Sequence, residues 1–296
     1  MQPEAVSAAA ALETVRGEVE ERIRGFLAER RAGLAELDPA AAVLVEELER
    51  LLEAGGKRIR PAFCVWGFRA AGGKDGEPIL RAAGALELFH MFALVHDDVM
   101  DESDARRGVP STHRRFALEA PEGGPGAERF GRAVAVLVGD LAAVLADELL
   151  LASGFPPERL MPALRRYGLM REQVAAGQLL DLRGEAEAGE RRARAVAALK
   201  TGAYTVEGPL HVGAILAGGS QELLERLSAY ARPLGEAFQL RDDLIDFGPD
   251  VVPGAERETV NRLISEAIAA LHGGGLDPDA RAALASLAEL LRLPEA

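Results

Sequence analysis

Apolar residues in this chain return at steps of three and four, as in Val43, Leu44, Leu48, Leu51 and Leu52, and runs of β-branched residues are few. That period belongs to one face of an α-helix, so the chain is predicted to be all-α. Its helix limits are marked. Asp38-Pro39 and Asp277-Pro278 read as an N-cap with proline at the first helical position, and Gly55-Gly56 and Gly72-Gly73 read as C-terminal stops. Glycine and proline concentrate at 121–126 and 249–254, the predicted longer loops, neither of which resembles an interdomain linker. No repeat of 20 to 50 residues is visible, which argues against a helical solenoid and makes one bundle, forming one domain over 1–296, the simpler reading. Segments 82–95 and 132–151 are apolar nearly all round and are therefore expected at the centre of that bundle.

The 296 residues are 48% hydrophobic, enough for a sizeable core. A formal charge of -13 argues against nucleic acid as a general partner, because no basic stripe is left to neutralise phosphates. The cations that do cluster gain weight for that reason. The single cysteine, Cys64, excludes an internal disulfide, fits a reducing compartment and is expected to be a buried small hydrophobe. The N-terminus has no basic segment followed by an apolar one, so a cytoplasmic location is expected. The longest apolar stretch, 133–146, is broken by Gly139-Asp140 and is shorter than the ~18 to 20 residues of a membrane span. Any membrane link is expected to come through a greasy ligand.

Two acidic segments, Asp97-Asp98-Val99-Met100-Asp101 and Asp242-Asp243-Leu244-Ile245-Asp246, share one spacing. On a helix, residues four apart lie on one face, so Asp97 with Asp101 and Asp242 with Asp246 form repelling pairs. A divalent cation relieves the repulsion; a solvated acidic helix end is the alternative. Magnesium suits oxygen-only ligands completed by water and substrate phosphates, whereas a transition metal would recruit His or Cys, and no His-x-x-x-His pair accompanies His96. Cations gather at Gly55-Gly56-Lys57-Arg58-Ile59-Arg60-Pro61 and at Arg106-Arg107-Gly108, and a shared diphosphate accounts for their closeness to the aspartates. His113, His211 and His272 read as surface or hydrogen-bonded core histidines, Trp66 as core, and Tyr204 as a packing residue.

Taken in order, these motifs resemble those of the trans-isoprenyl (polyprenyl) diphosphate synthases, the head-to-tail prenyltransferases. The resemblance runs over nearly all of 40–250: Gly-Gly-Lys-Arg-Ile-Arg-Pro (55–61), Leu-Phe-His (88–90), His-Asp-Asp-x-x-Asp (96–101), Arg-Arg-Gly (106–108), Gly-Asp (139–140), Gly-Gln-x-x-Asp (177–181), Lys-Thr (200–201) and Phe-Gln-x-x-Asp-Asp-x-x-Asp (238–246). It implies a single large helical bundle around a deep central cavity, with both acidic motifs at its mouth. It further implies a homodimer that condenses isopentenyl diphosphate with an allylic diphosphate. By the same resemblance Asp97, Asp101 and Asp181 hold two magnesium ions and Asp242 a third, while Asp98, Asp243 and Asp246 act through water or through neighbouring groups. Arg106, Lys200 and Gln239 contact the allylic substrate. Lys57, Arg60, His90 and Arg107 hold isopentenyl diphosphate, and Gln178 and Thr201 line the place where positive charge develops.

Product length is expected to be set upstream of Asp97, with Phe92 roughly 7.5 Å and Phe89 roughly 12 Å along the helix axis from it. Both are candidate cavity floors; ordinary core packing is the alternative. An aromatic at 92, small Ala93, and no two-residue insertion between Asp98 and Asp101 resemble short-chain synthases making geranylgeranyl diphosphate, with farnesyl diphosphate next. The chain departs from the family after the second motif. The glycine-rich loop and its lysine are missing, 246–250 runs straight into Val251, and no lysine follows Lys200. Either the loop is deleted or a mobile loop after Asp250 is missing from the sequence; the second is expected, since such loops order mainly with ligand bound. Two rivals remain: a class I terpene cyclase, which would not need Lys57 and Arg60, and a non-catalytic subunit of a heteromeric prenyl synthase.

Overall fold

A computed structural model describes residues 8–121, 123–183, 198–246, 254–272 and 276–293; the side chains of 8–11, 198–201, 242–246 and 254–256 lie outside that description. The described residues form eleven α-helices: α1 (Ala8–Leu37), α2 (Val43–Glu53), α3 (Ile59–Ala70), α4 (Glu77–Met100), α5 (Thr112–Glu119), α6 (Gly124–Leu151), α7 (Pro157–Leu182), α8 (Gly208–Ala217), α9 (Gln221–Asp246), α10 (Gly254–Ala270) and α11 (Pro278–Glu289). A 3-10 turn, Pro39–Ala42, precedes α2, and a π-helical segment, Ala198–Glu207, runs directly into α8. The all-α prediction holds, apart from a hairpin of two-residue strands, β1 (Ala105–Arg106) and β2 (Val109–Pro110).

The predicted punctuation is largely in place. Asp38 accepts from the Ala40 N–H at 2.8 Å, and Asp277 from Asp279 and Ala280, so both cap helix starts whose first amides have no intrahelical partner. Gly55 and Gly72, at φ +85° and +80°, end α2 and α3 in the left-handed conformation that glycine adopts without cost. The loop predicted at 121–126 is shorter than expected, because Pro125 sits in the first turn of α6, where its missing N–H is harmless. The sequence runs continuously from Asp250 to Val251, so the loop expected between them is not in this chain. The predicted loop itself falls mostly at 249–253, outside the described residues.

The helices group into two compact units. The first-motif unit comprises Arg16–Arg58 and Leu80–Gly154. Val19, Ile23 and Leu27 of α1, four residues apart, are wholly buried, as are Leu88, Phe89 and Val95 of α4 and Val138, Leu145 and Leu149 of α6. Gly84 lets these three helices meet: a Cβ there would lie 3.1 Å from Leu149 and 3.2 Å from Ile23. By length and composition α4 could cross a membrane, but 67% of its most apolar window is buried inside the protein, the signature of a core helix. Its central placement follows the expectation.

The placement of α6 does not. Phe130, Leu137, Val144 and Leu151 are each more than half exposed and stand seven residues apart, so one stripe of this helix is uncovered. A polar cluster ties α2 to α5. Glu47, fully buried, accepts from Arg50 Nε at 2.7 Å, from Arg50 Nη2 at 2.6 Å and from Thr112 Oγ1 at 2.7 Å, and is also paired with Arg115. Burial alone would raise the Glu47 pKa; these bonds outweigh it and hold the carboxyl below its ordinary range.

The second-motif unit contains α3, α7, the π-helical segment and α8 to α11. Helices α3 and α8 cross with almost no gap: a Cβ at Gly213 would lie 1.9 Å from the Cys64 carbonyl oxygen, and one at Gly67 2.2 Å from that of Leu210. Cys64 is fully buried there, and burial pushes its thiol pKa up, as expected of a small hydrophobe. Trp66 is buried as predicted, with the Arg69 guanidinium 4.2 Å above its ring. Tyr230, wholly buried, packs edge-on to Phe63 and donates to the Leu284 carbonyl at 2.8 Å, joining α9 to α11. His211, half-buried, meets Arg166, Ser228 and the Leu224 carbonyl, and buried His113 meets Ser111; both are hydrogen-bonded, while His272 is exposed.

Candidate active site

The first acidic motif closes α4. The Asp101 N–H bonds to the Asp97 carbonyl at 2.8 Å, so the two residues stand one turn apart, Asp101 exposed and Asp97 half-buried. The carboxylates sit at the negative end of the helix dipole, and no basic residue occupies the last turn. Repulsion and dipole both favour a cation there. Asp98 points inward. It is 3% exposed and accepts from Arg106 Nε at 2.9 Å and also from Nη2. Burial raises its pKa, and the Arg106 bonds only partly offset this.

Arg106 is delivered by the hairpin. Its turn residues, Arg107 and Gly108, have φ of +54° and +78°, the two left-handed positions of a tight type I′ connection. This reverses the chain so that Arg106 returns to Asp98, with Nη2 3.8 Å from Asp97, while the Arg107 guanidinium donates to the Gly55 carbonyl. The Gly-Gly-Lys-Arg turn and the first acidic motif are thereby connected within one unit.

Arg58 anchors that turn from below, a role the sequence did not reveal. It is 2% exposed, adopts φ +48°, and pairs with Glu20 at 2.9 Å and Glu87 at 2.7 Å. It also donates to the carbonyls of Leu52 and Gly55. Two buried carboxylates and two carbonyls thus occupy one cation, leaving neighbouring Lys57 exposed. Glu87 lies one turn before half-buried His90 on α4. A cavity of about 20 Å³ lined by Arg58, Glu87, Met91, Asp98, Arg106 and Arg107 marks where both motifs meet.

In the second-motif unit Arg60 of α3 donates to Thr205 Oγ1 at 2.9 Å, and its guanidinium lies 4.2 Å above the ring of Tyr204. Tyr204 packs as predicted, but its ring also orients a candidate phosphate-binding arginine. Both partners belong to the π-helical segment, a widened backbone often found at functional sites. Lys200 and Thr201 belong to the same segment; their side chains lie outside the described residues. Gly202 and Gly235 bring this segment against α9: a Cβ on Gly235 would lie 2.4 Å from the Gly202 Cα. Along α9 follow half-buried Gln239 and then Asp242, Asp243 and Asp246, whose side chains are also outside the described residues. At the end of α7, Asp181 is exposed, and Gln178 Nε2 is buried with no hydrogen-bond partner among the described residues.

Comparison with known proteins gives this arrangement a family. The polyprenyl synthetase model matches residues 41–252. Geranylgeranyl pyrophosphate synthase 11, chloroplastic, of Arabidopsis thaliana is 32% identical over 83% of this chain and 73% of its own. Geranylgeranyl diphosphate synthase of Methanosarcina mazei is 33% identical over 70% of this chain and 60% of its own. The crystal structure of geranylgeranyl pyrophosphate synthase from Corynebacterium glutamicum, complexed with isoprenyl diphosphate and magnesium, superposes with a TM-score of 0.86 at 30% identity, covering 95% of this chain and 98% of that one. The chain belongs to the polyprenyl synthetase family.

Proposed function

We propose that this chain, acting as one synthase domain over 1–296, condenses isopentenyl diphosphate with an allylic diphosphate to give geranylgeranyl diphosphate. The observation that carries the reading is the first-motif unit's own geometry. Three aspartates at a negative helix end, the hairpin arginines and the Gly-Gly-Lys-Arg turn converge through Asp98–Arg106 and Arg107–Gly55. Acidic and basic groups that must share a ligand are what a metal-bridged diphosphate requires. Incubation with isopentenyl diphosphate, each allylic starter and magnesium, followed by product sizing, tests it; absence of turnover sinks it.

The donor chemistry fits magnesium. Among the described residues no group of three or more His, Cys, Asp or Glu side chains is placed to hold a metal ion; Asp97 and Asp101, one turn apart, are the oxygen donors we assign to a partial shell that substrate phosphates and water would complete. We assign Asp97, Asp101, Asp181 and Asp242 to three such ions, which when bound would neutralise the departing diphosphate. Arg106, Lys200 and Gln239 orient the allylic diphosphate, and the two cations stabilise the charge that develops as its carbon–oxygen bond breaks. Lys57, Arg60, His90 and Arg107 hold isopentenyl diphosphate so that its double bond attacks the allylic cation. The new carbon–carbon bond leaves a cation that loses a proton to the released diphosphate, restoring an allylic product. We assign Gln178 and Thr201 to the place where positive charge develops; Gln178 Nε2, buried with no hydrogen-bond partner among the described residues, supports a polar ligand partner for that amide.

Phe92 is assigned as the cavity floor, with Phe89 below it and Ala93 leaving room beside it. Phe89 is 1% exposed and stacks on half-buried Phe92 with centroids 5.3 Å apart, so the pair presents one aromatic step rather than two independent ones. Phe92→Ala is expected to lengthen the product by at least one five-carbon unit; an unchanged distribution by chromatography removes the floor assignment. The uncovered stripe on α6 supports contact with a second copy of the chain. Val144→Glu is expected to convert a dimer to a monomer by sedimentation velocity, and a monomeric parent protein would end that assignment. The lone buried Cys64 supports a reducing, cytoplasmic setting.

One observation favours a second reading. The chain is continuous at 250–251 with no lysine after Lys200, so a cation directed at the diphosphate in other family members is missing. A non-catalytic subunit would show no turnover alone and would gain or confer it only with a catalytic partner.

A further inference from the structure

We propose that His96 is a positioning residue for product length, holding Phe92 in place from the side nearer the acidic motif. This rests on the reading of Phe92 as the floor. Phe89, Phe92 and His96 occupy positions i, i+3 and i+7 of α4 and so share one face. The Phe92 ring stacks on Phe89 and also meets the His96 imidazole edge-on, with centroids 4.8 Å apart. His96 in turn is fixed to α6. Its Nε2–H donates to the Val136 carbonyl at 3.1 Å, and the ring occupies the notch left by Gly139, where a Cβ would lie 2.3 Å from both Cδ2 and Nε2. The imidazole side chain is 17% exposed, and Nε2 lies 3.8 Å from Asp140 Oδ1. A ring bonded at one end and enclosed by a glycine notch cannot yield when Phe92 is pushed. The height of the floor is therefore set jointly by Phe92 and by the α4–α6 contact that immobilises its neighbour.

The test compares product distributions of the parent chain and of Phe92→Ala, His96→Ala, Gly139→Ala and the Phe92→Ala/His96→Ala pair, with one allylic starter, isopentenyl diphosphate and magnesium. The ratio of longer to main product is read only from active molecules, so partial loss of folded protein does not move it. His96→Ala is expected to raise that ratio roughly fivefold, the scale of one aromatic edge contact. Gly139→Ala, which displaces the same ring without changing its chemistry, is expected to shift the ratio too and decides the matter if His96→Ala does not fold. The pair should lengthen product no further than Phe92→Ala alone, because His96 acts through Phe92. A lengthened product from Phe92→Ala with unchanged ratios in His96→Ala and Gly139→Ala overturns the role of His96. An unchanged ratio in Phe92→Ala overturns the floor reading instead, and a fully additive pair shows His96 acting independently of Phe92.

Discussion

Asp97→Asn is expected to slow prenyl transfer about 10³-fold, or ~4 kcal/mol of lost transition-state stabilisation, while leaving the folded state intact. The reasoning is local. Asp97 stands half-buried at the negative end of α4, one turn from Asp101 and with Arg106 3.8 Å away. Removing its charge relieves repulsion with Asp98, so the thermal midpoint should hold or rise slightly, whereas the metal-bridged diphosphate proposed above would lose one of its carboxylate ligands. Steady-state rates at saturating magnesium, alongside a melting curve, separate the two effects. Retention of rate would remove Asp97 from the site. Chelation of the parent protein should produce a loss at least as large, restored by adding magnesium back.

Glu47→Ala is expected to cost about 3–5 kcal/mol, the scale for removing one member of a buried ionic network, and to leave Arg50, Arg115 and Thr112 without their shared acceptor. Urea unfolding measures it; a change under about 1 kcal/mol would mean that the cluster behaves as a surface pair. The same carboxylate gives the fold an acid sensitivity. Its folded pKa lies below the ordinary glutamate value, so its stabilisation is fully present above roughly pH 4.3 and is lost as pH falls through the lowered folded value. Glu47→Gln should flatten that part of the stability curve, an effect visible as a smaller difference from the parent protein at low pH than at neutrality.

The elements that carry these predictions were unequally legible in the sequence. The caps at Asp38 and Asp277 and the left-handed glycines at 55 and 72 follow from local chemistry and stand where their residues place them. The turn of helix joining Asp97 to Asp101 was legible for the same reason: i,i+4 geometry belongs to the helix itself. Segments 82–95 and 132–151 looked alike in composition, yet α4 is covered and α6 leaves a seven-residue stripe open. Composition gives the width of an apolar face but not the neighbour that covers it.

Within Lys57-Arg58-Ile59-Arg60 the sequence offers three cations of similar appearance. Arg58 becomes a buried anchor only because Glu20 and Glu87, 38 and 29 residues away, reach it from α1 and α4. Arg60 is oriented by Tyr204 and Thr205, about 145 residues on, through a π-helical segment that no apolar period announces. In the sequence His96 opens the His-Asp-Asp-x-x-Asp motif with no role of its own; the notch at Gly139 gives it a fixed place beside Phe92. The sequence alone determined most of the helices, the ends marked by Asp38, Asp277, Gly55 and Gly72, and the turn that joins Asp97 to Asp101, because those depend on residues within a turn or two of each other. Which cations face outward, which apolar stripe stays open and what packs against Phe92 were decided by tertiary structure, since burial and pairing are settled by side chains far apart along the chain.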